Sequence, residues 1–282
     1  MKRLMKKYLL SIATIICSIL LLSTGSSFAE QSKEVVNWDK GVIQATGFGA
    51  PPQMTSPQQA TYMAKRAAVV DAYRNLAEAI NGVQVDSETT VQNFQVSNDI
   101  IHSKVTALVR GASIIKEQQF PDGTYQVVMQ VNLYGSNSLA QAIQDPNPLP
   151  AQPFPQPTSY QPVTTIGQGY TGLVVDARGL GLERCMSPLI YSESGVIVYG
   201  NKYVDSTTVV NRGMVDYAAT SEAIVEAETG LSRGGSMPLL VKAIAVKDFS
   251  RNVVISDVDA DRILAINAKN QMLRNLAVVF EK

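Results

Sequence analysis

Asp257, Asp259 and Asp261 alternate as the oxygen ligands of a hard cation do. A calcium loop of the EF-hand kind also needs a glycine and a distant glutamate, and Arg262 and Ile263 stand there instead. Acidic residues opening a helix also suit its dipole and its N-cap, and we read them so. A second group is Asp176-Ala177-Arg178-Gly179-Leu180-Gly181. Asp176 and Arg178 fall on one face of a strand end, where Gly179 and Gly181 free the backbone for a turn or an anion-binding nest. A structural turn with an ion pair is the plainer reading, and Asp176, Arg178, Gly179 and Gly181 form the best contact site in the chain.

Other chemistry is sparse. The single histidine is His102, with no soft or imidazole ligands clustered near it in sequence. No Gly-x-Ser-x-Gly elbow occurs, and Cys185 has no histidine in its own half of the chain to activate it. Paired carboxylates could hydrolyse glycans, but sequence does not place them in a cleft. Gly47-Phe48-Gly49 follows a strand and precedes a helix, like a dinucleotide fingerprint. The third glycine is absent and Pro51-Pro52 intervene, so we read a turn. No catalytic residue, metal ligand or cofactor is therefore assigned.

The elements that would position these residues read as follows. Residues 41–47 form a strand. Ser56, Pro57 and Gln59 open a helix as N-cap, first helical residue and capping-box partner. It runs to about Ile80, where Asn81-Gly82 gives a left-handed stop. Tyr62, Val69, Tyr73, Leu76 and Ile80, flanked by Met63, Val70 and Ala77, form its apolar stripe. Residues 83–91 are extended, a short helix covers 96–108, and strands at 112–119 and 124–133 are joined by Pro121-Asp122-Gly123, a strong hairpin signal. Beyond residue 170, strands are expected at 171–177, 188–191, 196–199, 238–247, 252–256 and 276–280, with helices at 221–228 and 258–272. The fold class is α+β: two small domains, each a helix packed on a mainly antiparallel sheet, joined by a proline-rich linker.

The ends of this plan are set by composition. Lys2, Arg3, Lys6 and Lys7 precede an uncharged apolar run from Tyr8 to Leu22, and Ser27 and Ala29 suit the minus-three and minus-one sites of cleavage. The run is shorter than the ~20 residues a membrane-spanning helix needs. Residues 1–29 thus read as a signal peptide, with an uncleaved anchor as the alternative and the mature chain starting at Glu30. Cys17 follows Ile15 and Ile16 and lacks the small preceding residue that lipidation requires. The signal holds four of the 24 Lys and Arg and none of the 24 Asp and Glu, so the mature part is mildly acidic. No basic stripe is present, which argues against nucleic acid as a partner. Cys185 alone remains after cleavage, so no internal disulfide can form. Seven of the thirteen prolines lie between Gln144 and Pro162, excluding helix and sheet there and favouring an extended spacer of ~3.1 Å per residue. This divides the chain into a domain at 30–134, a linker at 135–169 and a domain at 170–282.

Ala67-Ala68-Val69-Val70-Asp71-Ala72-Tyr73-Arg74-Asn75-Leu76, then Gly82 to Thr89, then Asp122-Gly123-Thr124-Tyr125-Gln126-Val127, resemble the twenty-kilodalton bacterial envelope lipoprotein (LPP) family. They are also similar to the N-terminal domain of the flagellar H-ring protein FlgT. The likeness covers about Trp38 to Tyr134, and the family's lipidated cysteine is missing. Residues 170–188 resemble the second domain of uncharacterised exported bacterial proteins. The resemblance implies a non-enzymatic exported cell-envelope protein, periplasmic or outer-membrane associated, acting through contacts with envelope proteins in outer-membrane or flagellar-associated assembly. Oligomerisation is open. One alternative is a peptidoglycan or surface-glycan binding module, against which the single Trp38 and few aromatic residues argue. The other is a carboxylate-based hydrolase.

Overall fold

The computed structural model describes residues 34–158 and 169–282. The signal-peptide reading lies outside them, as does the stretch 159–168 of the expected linker. Among the described residues no helix is long and apolar enough to cross a membrane.

The first lobe is a four-stranded antiparallel sheet, in the order β1-β2-β4-β3, with a long helix on one face. Its elements are β1 (Glu34–Asn37), β2 (Val42–Gly49), α1 (Pro57–Asn81), α2 (Val91–Ser97), α3 (Asp99–Arg110), β3 (Ser113–Gln119), β4 (Tyr125–Asn132) and α4 (Leu139–Ile143). Ser56 caps α1 and accepts from the Gln59 amide, with Pro57 opening the helix. The stop differs from expectation: Gly82 is right-handed (φ −77°), and its N–H closes the last turn on Glu78 and Ile80 carbonyls. The expected helix at 96–108 is two helices. Asn98 adopts extended backbone between them, and its side chain accepts from the Ile100 and Ile101 amides, starting α3 afresh. The hairpin at Pro121-Asp122-Gly123 is present, with Gly123 at φ 85°.

The buried face of α1 matches the expected stripe at Leu76 and Ile80, with Val69 and Tyr73 half-buried beside the core, and departs from it elsewhere. Ala64, Ala68, Ala72, Asn75, Leu76, Ala79 and Ile80 are buried, whereas Tyr62 is 76% exposed. The cause lies in β2. Gly47 and Gly49 sit inside that strand rather than in a turn, and a Cβ on either would overlap α1 backbone at Ala64, Ala68 or Ala72. Two glycines facing three alanines bring helix and strand into backbone contact, so large side chains are pushed to the flanks. Beyond Ala45, β2 has no β1 neighbour among the described residues, and α1 side chains bond to its backbone there. Asn75 donates to the Thr46 carbonyl at 2.8 Å, and Asp71 accepts the Phe48 amide at 3.0 Å.

The second lobe comprises β5 (Gly172–Asp176), β6 (Ile190–Ser192), β7 (Ile197–Tyr199), α5 (Ser206–Arg212), β8 (Asp216–Ala218), α6 (Ser221–Glu228), β9 (Pro238–Lys242), β10 (Ala245–Lys247), β11 (Asn252–Ile255), α7 (Asp257–Asn270) and β12 (Val278–Glu281). The α+β class holds, but pairing here is not mainly antiparallel. The sheet β8-β12-β5-β9 is parallel throughout, and the sheet β10-β11-β6-β7 has a parallel β11/β6 centre between two hairpins. Parallel neighbours need long crossovers, and α6 and α7 lie in the segments that return the chain to this sheet. The apolar run at 238–247, expected as one strand, breaks at Ala243-Ile244 and serves both sheets. Leu173, Val175, Val278 and Phe280 point into a core shared with Ile263, Leu264 and Ile266 of α7.

The described residues form one compact unit. Trp38 packs against both cores and lies edge-on to Tyr217 at 5.9 Å. The amides of Met186 and Ser187 donate to the Gln84 and Val85 carbonyls at 3.0 and 2.8 Å, and that of Gly135 to Val210 at 2.9 Å. Part of the expected linker belongs to the lobes. Leu139, Ala140 and Ala142 of α4 are buried in the first core. Residues 145–158 run along the body rather than across open solvent. Gln152 N–H donates to Lys202 O at 2.8 Å, Phe154 stacks on Tyr203 at 5.0 Å, and Thr158 donates through amide and hydroxyl to Asp261. Proline has no N–H to give, so the residues between prolines do the anchoring.

Candidate functional site

The four residues singled out in sequence meet at the carboxyl end of the parallel sheet. Asp176 closes β5, and its cross-strand neighbours are Glu281 on β12 and Lys242 on β9. The chain turns directly after it, and Arg178 folds back. Arg178 Nε and Nη2 hold Asp176 Oδ1 and Oδ2 at 2.8 and 3.0 Å, a bidentate pair that draws the Asp176 carboxyl below its usual range. The same guanidinium lies 3.4 Å from Glu281 Oε2 and 3.5 Å from Glu228 Oε1. Gly179 and Gly181 adopt left-handed backbone (φ 77° and 72°), with open space where a Cβ would stand. The turn is thus an ion-pair hub. An anion approaching it would meet three carboxylates around one guanidinium, so the nest chemistry considered from sequence finds no electrostatic support.

Glu281 is the member sequence reasoning missed. It is 1% exposed, and its Oε1 has no hydrogen-bond partner among the described residues. Desolvation raises its pKa and the Arg178 charge opposes the rise. Its place next to the chain's last residue masked a burial that only the pairing of β12 between β5 and β8 creates.

The remaining chemistry-bearing residues are dispersed. His102 is exposed on α3. Cys185 is fully buried at the seam between the lobes, its backbone bracketed by the Tyr217 hydroxyl, and burial pushes its thiol up to about 12. That thiol stays protonated and inert at neutral pH. The three aspartates of α7 are used internally. Asp257 accepts the amide and hydroxyl of Ser194, Asp259 bonds the Ser256 cap, and Asp261 holds Thr158. Among the described residues no group of His, Cys, Asp and Glu is arranged for a metal ion.

A cleft between the lobes is one of several concave features among the described residues, and a larger one lies between α3, β4 and α4. The volume of the cleft between the lobes is about 400 Å³. Val85, Ala140, Met186 and Val204 form a buried apolar floor, and Val209 and Val210 of α5 line one side. The strap Asp145–Gln152 supplies the opposite wall. Asn201, Lys202 and Gln152 gather on the exposed rim, brought together by the Gln152–Lys202 backbone bond. No local motif announces this cleft, because its walls come from segments far apart in the chain.

Residues 46–132 match the LPP20 lipoprotein family. This range is the helix-on-sheet unit of the first lobe, from β2 through β4. Residues 172–280 match a second family model, the second domain of Treponema pallidum Tp0624, and span the second lobe from β5 into β12. No curated protein matches the chain. Of the cleft lining, Val85 lies in the first matched range, Met186 to Val210 lie in the second, and Tyr134 to Gln152 lie in neither; the second range also holds Asp176, Arg178 and Glu228 of the hub, with Glu281 one residue beyond it.

Proposed function

We propose that this is a non-enzymatic, exported cell-envelope protein that acts through protein contacts, in outer-membrane or flagellar-associated assembly. The observation that carries the reading is the match of the first lobe to the LPP20 lipoprotein family. The flagellar form of the reading rests on the resemblance in sequence alone. The Asp176–Gly181 turn is the contact site in this reading, because Arg178 stands 45% exposed at the end of a rigid parallel sheet. Two neighbouring readings fare less well on specific grounds. Trp38 is packed between the cores, so it offers no platform for a glycan. Asp176 and Glu281 are pushed in opposite directions, as an acid–base pair would be. However, Arg178 engages both oxygens of Asp176 and leaves no free nucleophile.

The test is fractionation of producing cells combined with cross-linking in intact envelopes. The mature chain is expected outside the cytoplasm, in discrete cross-linked species that Arg178→Ala depletes without loss of folding. A cytoplasmic protein would overturn the reading. So would turnover of a cell-wall substrate that is lost on Asp176→Asn at unchanged melting temperature.

A further inference from the structure

We propose that the cleft between the lobes binds one acyl chain carrying an anionic head. This goes beyond the contact reading and does not rest on it.

The volume of about 400 Å³ falls within the roughly 300–1,000 Å³ of small-molecule sites, which favour domain interfaces and apolar walls with few polar groups. The floor is apolar and already desolvated: Ala140, Met186 and Val204 are each under a tenth exposed. Such a surface gains from taking up methylene groups and offers little to a polar ligand. Polarity is confined to the rim, which fixes the direction of entry. Lys202 is exposed there, with its Nζ 4.8 Å from the Tyr203 ring and in no ion pair among the described residues. Asp145, at another part of the rim, has an oxygen already turned to the Asn147 amide. The rim therefore offers one uncommitted cation, and Asn201 beside it adds an amide donor. An apolar tail with a carboxylate or phosphate at its end fits this arrangement. The strap edges the open outer side with Pro148, Leu149 and Pro150, which are exposed and carry no backbone donors at the two prolines.

The test is titration of the full chain with parinaric acid, a fluorescent fatty acid, followed by displacement with palmitate or hexadecanol. Saturable binding at one site per chain is expected, with palmitate the better competitor. Lys202→Gln should weaken palmitate about two- to fivefold, the size of an exposed charge pair, and leave hexadecanol unchanged. Val210→Phe, which fills the cleft, should abolish binding of the probe, with thermal melting read alongside. If that variant does not fold, the acid-against-alcohol comparison in Lys202→Gln still decides. Vesicles containing lysophosphatidylglycerol, which has one acyl chain, separate the two sources of such a ligand. Lipid carried off by the protein assigns a membrane lipid, and displacement by palmitate alone assigns a free fatty acid. Absence of saturable binding would overturn the proposal. Equal loss of acid and alcohol in Lys202→Gln, or undiminished binding in a folded Val210→Phe, would do the same.

Discussion

Gly47 and Glu281 show how much a single side chain decides in this molecule. Gly47 faces the backbone of α1 at Ala68 and Ala72, where no Cβ fits. Gly47→Ala should therefore force helix and strand apart and cost about 1–3 kcal/mol, the range of overpacked cores, measurable as a lower midpoint in urea. Glu281 makes a pH-dependent contribution. Its folded pKa is raised, so it holds its proton more tightly folded than unfolded, and its ionisation costs stability as pH climbs past the usual carboxylate range. Asp176 behaves oppositely: its lowered pKa contributes stability that disappears as pH falls. The melting temperature of Glu281→Gln relative to the parent is accordingly expected to rise between about pH 4 and pH 7. A difference that stays flat over that range would show that Glu281 is not held in an ionisation-averse site. Asp176, Arg178, Gly179 and Gly181 were legible as a turn because local chemistry marks it. Glu281 was not, since its burial comes from strands that lie far earlier in the sequence, at Ala218 and Asp176. The two glycines of β2 were visible but misread as a turn, because their purpose depends on a helix that packs against them later in the chain.

At the level of elements, polar side chains finish what backbone ladders leave undone. Asn75 bonds the Thr46 carbonyl from the helix, and it is only 3% exposed. Asn75→Leu would leave that carbonyl unsatisfied, and a loss of about 1–3 kcal/mol is expected in chemical denaturation. Asn98 splits what periodicity offered as one helix, so Asn98→Ala should cost about 1 kcal/mol and reduce helical circular dichroism around α3. Capping and turn chemistry made the start of α1 and the β3–β4 hairpin readable, because both signals are local. The first half of the α1 stripe was misjudged since hydrophobicity ranks Tyr62 and Met63 above alanine, whereas close approach to β2 selects by size. The parallel order of β8, β12, β5 and β9 was not readable from strand patterns alone. A buried apolar strand looks the same whether its neighbour runs parallel or antiparallel. Proline content marked 145–158 as neither helix nor strand, yet it carried no sign of the contacts that Gln152, Phe154 and Thr158 make with the second lobe.

Across the whole molecule, the two lobes keep separate cores but share a seam, and the cleft depends on that seam holding. Backbone bonds from Met186, Ser187 and Gly135 cross it, Arg251 reaches the Ser87 carbonyl, and Trp38 fills its middle. A body of this kind presents its surfaces at fixed spacing, which suits a protein that works by contact. The chain holds a single tryptophan, so its fluorescence reports on the seam and nothing else. The decisive measurement is urea unfolding of the described body, followed by Trp38 fluorescence and by far-ultraviolet circular dichroism on the same samples. One body requires the two curves to coincide in a single transition. Seam fluorescence that changes at low urea while circular dichroism holds, or circular dichroism in two separate steps, would contradict it and return the lobes to independent domains.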